Sequence, residues 1–246
     1  MPRAISRYAI LGATGTIGSA LARRLVEQGD EVLLVGRNAA KLATLAAELR
    51  QTSVESPLTD SRELEAALTA ALSGRPLHGI VHCVGSVLLK PAHATTDEEF
   101  RQTVETNLFT AFASVRCGAR LLRKQGGSIV LFASAAAEIG ISNHEAIAAA
   151  KAGVIGLARS AAATYAPQNI RVNVISPGLV PTELTRRIWE SPAAAAASTQ
   201  LHALGRLGEV DQVTSLAAWL LDPRHHWMTG QVIGLDGGLG HVLPRR

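Results

Sequence analysis

The first residues whose types and spacing could do chemistry are Gly12-Ala13-Thr14-Gly15-Thr16-Ile17-Gly18, set between the apolar run Arg7–Leu11 and the helical pattern Ala20, Leu21, Arg24, Leu25. Glycines here let a backbone turn sharply and approach a pyrophosphate, whose charge meets the free N–H groups of the following helix. The spacing alone is a weak signal, and its place between a strand and a helix strengthens it. Arg37 lies 19 residues past Gly18, where a dinucleotide fold places the side chain that meets the adenine ribose. A carboxylate there would bind the 2′-hydroxyl of NAD, whereas an arginine fork suits the 2′-phosphate of NADP, so NADP(H) is the expected cofactor. Asn38 and Lys41 read equally as assistants or as ordinary helix-start residues. Cys83 and Cys117 are the only cysteines and neither has a neighbour at metal-ligand spacing, so no metal site and no disulfide framework is expected.

Positioning such residues takes a sheet and covering helices. Candidate strands are Arg7–Leu11, Glu31–Val35, Thr52–Glu55, Gly79–Val84, Ser128–Phe132, Arg171–Ile175 and Val232–Leu235. Unbroken apolar runs such as Val32-Leu33-Leu34-Val35 are the mark of strands covered on both faces. Leu42, Leu45, Ala46 and Leu49 share one helical face, and Thr96 with Glu99 forms a capping-box pattern that opens a helix toward Lys124. Strands alternating with helices predict a doubly wound α/β fold with a parallel sheet. No linker or repeat divides residues 1–246, so a single domain is expected, with a cofactor half over about 1–125 and an active-site half over about 126–246. Ala193–Ala197 follows Ser191-Pro192, a helix-start pair, inside a segment 182–204 that reads as a lid over the site or as a surface helix.

The chain has 246 residues, 47% of them apolar and 18% charged, with formal charge +4. That composition excludes disorder and leaves anionic small molecules as partners rather than nucleic acid. The first apolar run is broken by Gly12 and Gly15, and no later run is expected to approach the roughly 18 apolar residues of a membrane span, so a soluble, cytoplasmic protein is expected.

The glycine loop, Asn107, Ser134, Lys151, Asn173 to Gly178, and Thr229-Gly230-Gln231 with Asp236-Gly237-Gly238 together resemble the short-chain dehydrogenase/reductase family along the whole chain. The likeness is strongest to its 3-oxoacyl-carrier-protein reductases, with Leu204-Gly205-Arg206-Leu207-Gly208 also in register. The resemblance implies a seven-stranded Rossmann-type sheet, a homodimer or homotetramer, and hydride transfer to or from a carbonyl or conjugated enoyl group of a small or acyl-thioester substrate. It assigns active-site roles to Asn107, to Ser134 as the donor that polarises the substrate oxygen, and to Lys151 on the nicotinamide ribose. It places the cofactor against Gly12, Thr14, Gly15, Thr16, Ile17, Gly18, Arg37, Leu58, Val84, Gly85, Lys151, Pro177, Gly178, Val180 and Thr182.

The departures from the family pattern bear on mechanism. Its tyrosine stands four residues before the lysine, and that position here is Ile147, which has no proton to give. Tyr165 lies too far along the helix to substitute. Enoyl reductases of the superfamily carry their tyrosine seven before the lysine, where this chain has His144; i and i+7 share a helix face. His144 therefore reads equally as the acid or, when neutral, a single hydrogen-bond donor to an oxyanion, and as a residue that caps a helix start or faces solvent. Pro57-Leu58 and His82-Cys83-Val84-Gly85 also differ from the family's usual residues at those points. Arg116, Arg120, Arg123 and Lys124 form a basic stripe that suits either solvent or an acyl carrier protein. The alternative reading is an impaired NADP(H)-binding protein acting as a sensor or partner subunit. A cofactor-free lyase of the halohydrin dehalogenase kind is disfavoured by the intact glycine loop and Arg37.

Overall fold

Seven strands form one parallel sheet in a computed structural model that describes residues 5–242. They are β1 (Arg7–Leu11), β2 (Glu31–Gly36), β3 (Thr52–Glu55), β4 (Gly79–His82), β5 (Gly127–Phe132), β6 (Ile170–Pro177) and β7 (Val232–Leu235), in the order β3-β2-β1-β4-β5-β6-β7. The order reverses between β1 and β4, the switch point beyond which open α/β sheets bind ligands. Each predicted strand is present within two residues at either end. β6 runs one residue earlier and two later than expected, whereas β4 stops at His82, with Cys83 making one last bond from its N–H to Leu11 O at 2.8 Å before the chain leaves the sheet.

Alternate strand residues feed two cores. Ala9, Leu11, Leu33, Val35, Ile80 and Ile129 pack under α3 (Ser61–Leu72), α5 (Thr110–Leu121) and α6 (Glu145–Tyr165). Tyr8, Ile10, Val32, Leu34, Val81 and Val130 pack under α1 (Thr16–Glu27), α2 (Ala39–Leu49) and α9 (Val210–Leu221). Burial on both faces is why the strands read as continuous apolar runs. Across the switch point, α1 lies on α9 and α3 on α5. Arg24 pairs there with Asp211, Arg120 with Glu65 at 2.6 Å, and Arg116 donates to Ser61 Oγ at 3.1 Å. Two members of the basic stripe are thus committed to α3 rather than held free for an acidic partner.

Two expectations about helices need correction. Helix 145–168 is long and apolar enough to cross a membrane by length and composition, although Lys151 and Arg159 interrupt its apolar run. Its buried residues, including Val154, Ala158 and Ala161, lie in the core, and it packs against β6. The segment opened by Thr96 does have its capping box, in α4 (Asp97–Val104), but it does not run unbroken toward Lys124. A π-turn at Glu105–Phe109 separates α4 from α5. The short α7 (Arg186–Trp189) and α8 (Pro192–Leu201) occupy the segment read as a lid, with the Ser191 hydroxyl capping α8 at Ala194 N and Pro192 as its first residue.

Candidate active site

The glycine loop joins β1 to α1 as its spacing predicts. Gly12 sits at φ +80°, and a Cβ there would lie 2.9 Å from Cys83 O; one at Gly18 would lie 2.3 Å from Gly12 O. Packing within the loop and against β4 therefore accounts for both glycines. Gly15 is different: it is exposed, its nearest obstruction is Gly12 O at 3.4 Å, and it caps α1 with no side-chain hydrogen bond. The first N–H groups of α1 are thus left uncovered beside open space, an arrangement that fits a phosphate. Arg37 is exposed just past β2 and has no hydrogen bond or ion pair among the described residues, while Asn38 Oδ1 caps α2 by accepting from Lys41 N at 2.9 Å. Leu58 points elsewhere: its side chain is buried in the core under α3, and it holds a left-handed φ of +65° while its N–H donates to Ser56 Oγ. Its side chain therefore does not face a cofactor.

Beyond the switch point a cleft is lined by Ile17, Val84, Gly85, Pro177, Gly178, Val180 and Thr182 together with Asn107, Ser134, Ile147 and Lys151. The remaining loop residues Gly12, Thr14, Gly15, Thr16 and Gly18, and Arg37, lie outside its lining. Asn107 owes its inward place to the π-turn. Its Nδ2 donates to Thr103 O at 2.9 Å, the carbonyl that its own backbone N–H would bond in an unbroken α-helix. Nδ2 also donates to Ser86 Oγ at 2.9 Å, and Oδ1 accepts from Ser86 N at 3.2 Å. A Cβ at Gly85 would lie 3.1 Å from Asn107 Oδ1 and 3.6 Å from Lys151 Nζ, so the two side chains converge over this glycine.

Lys151 is 7% exposed and donates to Phe132 O at 2.9 Å. Burial without a carboxylate partner lowers its pKa to about 8, the nearby Cys83 acting slightly in the other direction. Ser134, at the end of β5, accepts from Ala136 N at 3.2 Å, so it caps the following turn and also lines the cleft with its O–H still free to donate. Ile147, one helical turn before Lys151, is buried against the same space. The Cys83 thiol is pushed up to about 12 by its apolar surroundings and stays protonated.

His144 is not among the residues lining this cleft. It occupies the N-cap of α6 without capping through its side chain, and its Nδ1 lies 2.8 Å from Ser142 O. A carbonyl only accepts, so Nδ1 carries the proton and a neutral His144 has no second N–H to offer an oxyanion. Helical spacing could not reveal that local bond.

Two buried histidines, His82 at the end of β4 and His202 after α8, make hydrogen bonds that sequence spacing does not predict. His82 Nε2 lies 2.8 Å from Thr110 Oγ1, and that hydroxyl donates to Thr106 O at 2.7 Å, so Nε2 must be the donor. Nδ1 is then a buried acceptor with no partner among the described residues, and desolvation with the nearby Lys151 charge holds His82 neutral, its pKa near 3. His202 Nε2 accepts from Leu179 N at 3.0 Å and its Nδ1–H donates to Ser198 O at 2.7 Å. The ring packs behind Gly178, where a Cβ would come within 2.6 Å of Nε2, and so ties the end of α8 to the cleft wall. The segment after β6 also meets the glycine loop, through Glu183 N to Thr16 Oγ1 at 3.4 Å.

Fold and cleft together define a doubly wound α/β protein of dinucleotide-binding architecture. Residues 12–240 match a family model described as Enoyl-(Acyl carrier protein) reductase. The chain belongs to the short-chain dehydrogenase/reductase family, oxidoreductases that use nicotinamide cofactors. It is 33% identical to the inactive 2-(S)-hydroxypropyl-CoM dehydrogenase 2 of Xanthobacter autotrophicus, over 89% of this chain and 99% of that one. It is 30% identical to D-threitol dehydrogenase of Mycolicibacterium smegmatis, over 93% and 90%. Among solved structures, a 3-oxoacyl-[acyl-carrier protein] reductase with bound NAD from Brucella melitensis superposes with a TM-score of 0.87 at 26% identity, covering 98% of this chain and 93% of the other.

Proposed function

We propose that this protein is an NADP(H)-dependent oxidoreductase acting on a carbonyl or conjugated enoyl group, with Lys151, Ser134 and Asn107 as its working side chains. The observation that carries the reading is the convergence of Asn107 and Lys151 over Gly85 in a cleft that Ser134 also lines, beyond the sheet's switch point. A bound nicotinamide supplies or accepts the hydride. The Ser134 hydroxyl donates to the substrate oxygen as negative charge develops there, and Lys151, with its pKa near 8, holds a transferable proton close to neutral pH. Asn107 fixes Ser86 and the end of the β4 segment, which forms one wall of the site. The phosphates fit the exposed turn at Gly15, and Arg37 takes the 2′-phosphate. His144 is the second candidate for the proton, in its charged form only. Loss of turnover in His144→Ala, with turnover retained in Lys151→Met, would transfer the role to it.

The reading is tested by titrating the protein with NADPH and NADH in parallel, following cofactor fluorescence. NADPH is expected to bind at least about tenfold more tightly, and Arg37→Asp to reverse the preference. Equal affinities would remove Arg37 from cofactor choice, and binding of neither would remove the oxidoreductase reading. One observation favours an alternative, a cofactor-binding sensor or partner subunit: apolar Ile147 lies against the reacting space where the family pattern has its tyrosine, and one of the relatives described above is named inactive. Tight cofactor binding without hydride transfer across carbonyl and enoyl substrates would select it.

A further inference from the structure

The polar groups of the cleft have little hydrogen-bonding capacity to spare away from the reacting centre. Both Asn107 N–H groups are used, on Ser86 Oγ and Thr103 O. The Thr182 and Thr185 hydroxyls bond each other at 3.0 Å, and Thr185 Oγ1 lies 2.7 Å from Val180 O. The side-chain O–H and N–H donors left over are the hydroxyls of Ser86 and Ser134 and the remaining N–H groups of Lys151, with the protonated Cys83 thiol as a weak donor beside them. Lys151 is also the only charged side chain among the described residues that line the cleft. Val87, Ile147 and Leu184 add apolar side chains to the same lining, and Leu184 is 53% exposed.

We propose that the cleft takes an apolar carbonyl compound, or its alcohol, bearing a single oxygen at the reacting centre, and rejects polyhydroxylated ones. The inference rests on reading the cleft as the hydride-transfer site. One oxygen is served by Ser134 and Lys151. The Ser86 hydroxyl can meet one further hydroxyl, and each one beyond that would leave water to lie against apolar side chains such as Val87, Ile147 or Leu184, which costs roughly tenfold in affinity per group. An alkyl chain gains from the same walls. The polar reach needed for a sugar alcohol is missing here, even though a threitol dehydrogenase is among the relatives.

The test compares a straight-chain octanone with erythrulose, a polyhydroxylated ketone, by calorimetric titration of protein loaded with oxidised cofactor and again without cofactor. Octanone is expected to bind about a hundredfold more tightly than erythrulose in the loaded protein, and the double substitution Val87→Asn with Leu184→Asn to narrow that ratio at least tenfold. A ratio near or below one, or binding of neither probe in either state, overturns the proposal. Turnover is measured separately with reduced cofactor. Selective octanone binding with reduction of neither ketone keeps the ligand class and removes the hydride-transfer reading. Preferred binding and reduction of erythrulose does the reverse.

Discussion

Lys151 shows what a buried cation does when no carboxylate meets it. Its pKa falls to about 8 from the usual 10.5, so between those values the unfolded chain holds a proton that the folded chain has released. Stability from this group therefore rises with pH from about 8 to 10.5, and the buried charge is a standing cost below 8. At pH 7, Lys151→Met is expected to stabilise the fold by on the order of 2 kcal/mol, the relief of burial being offset in part by loss of the bond to Phe132 O. Urea unfolding reads that gain, and turnover in the same variant is expected to vanish. Unchanged or reduced stability would mean that the charge is not a burden on the fold. The residues themselves were only partly legible. Asn107, Ser134 and Lys151 were found through the family pattern and do line one cleft, but the proton on His144 and the inward turn of Leu58 depend on single local bonds, to Ser142 O and Ser56 Oγ, that no spacing encodes.

The π-turn between α4 and α5 is the element on which the site depends most, and nothing in the helical periodicity of residues 96–124 announced it. Its cause is side-chain chemistry: Asn107 captures the Thr103 carbonyl, and the His82–Thr110 pair holds the following turn from the sheet side. Thr110→Val removes the hydroxyl that donates to Thr106 O and accepts from His82, stranding a buried imidazole N–H. A loss of about 2 kcal/mol is expected in denaturant unfolding, with the slope unchanged. Amides at 105–109 are also expected to exchange faster with solvent, since the clamp on the turn is gone. Protection equal to wild type would show that Asn107 alone holds it. The elements that were legible, such as β2 and the α8 start at Ser191-Pro192, are those whose signal is local: an apolar run, or a cap followed by proline. β4 ended two residues early because Cys83 and Val84 keep the apolar run going while the backbone leaves for the cleft.

At the scale of the whole molecule, the parallel sheet was readable because strands buried on both faces cannot alternate in polarity and must be covered by the helices between them. The strand order adds what the sequence of elements does not state. From the centre outward, β1, β2 and β3 fill one wing in chain order, and β4 to β7 then fill the other. The chain thus crosses between wings once, in the stretch between α3 and β4, and there Gly74 has open space around it. The wings are joined by the β1–β4 ladder, by a helix pair on each face, and by the Arg24–Asp211 and Arg120–Glu65 pairs. A molecule assembled in this way is separable along its own seam. Cut after Gly74 and co-expressed, residues 1–74 and 75–246 are expected to co-purify as complementary fragments that together regain cofactor binding, since each keeps its strands contiguous and supplies one side of every bond across the join. Recovery of the larger fragment alone would show that the covalent crossing is needed to bring the wings together.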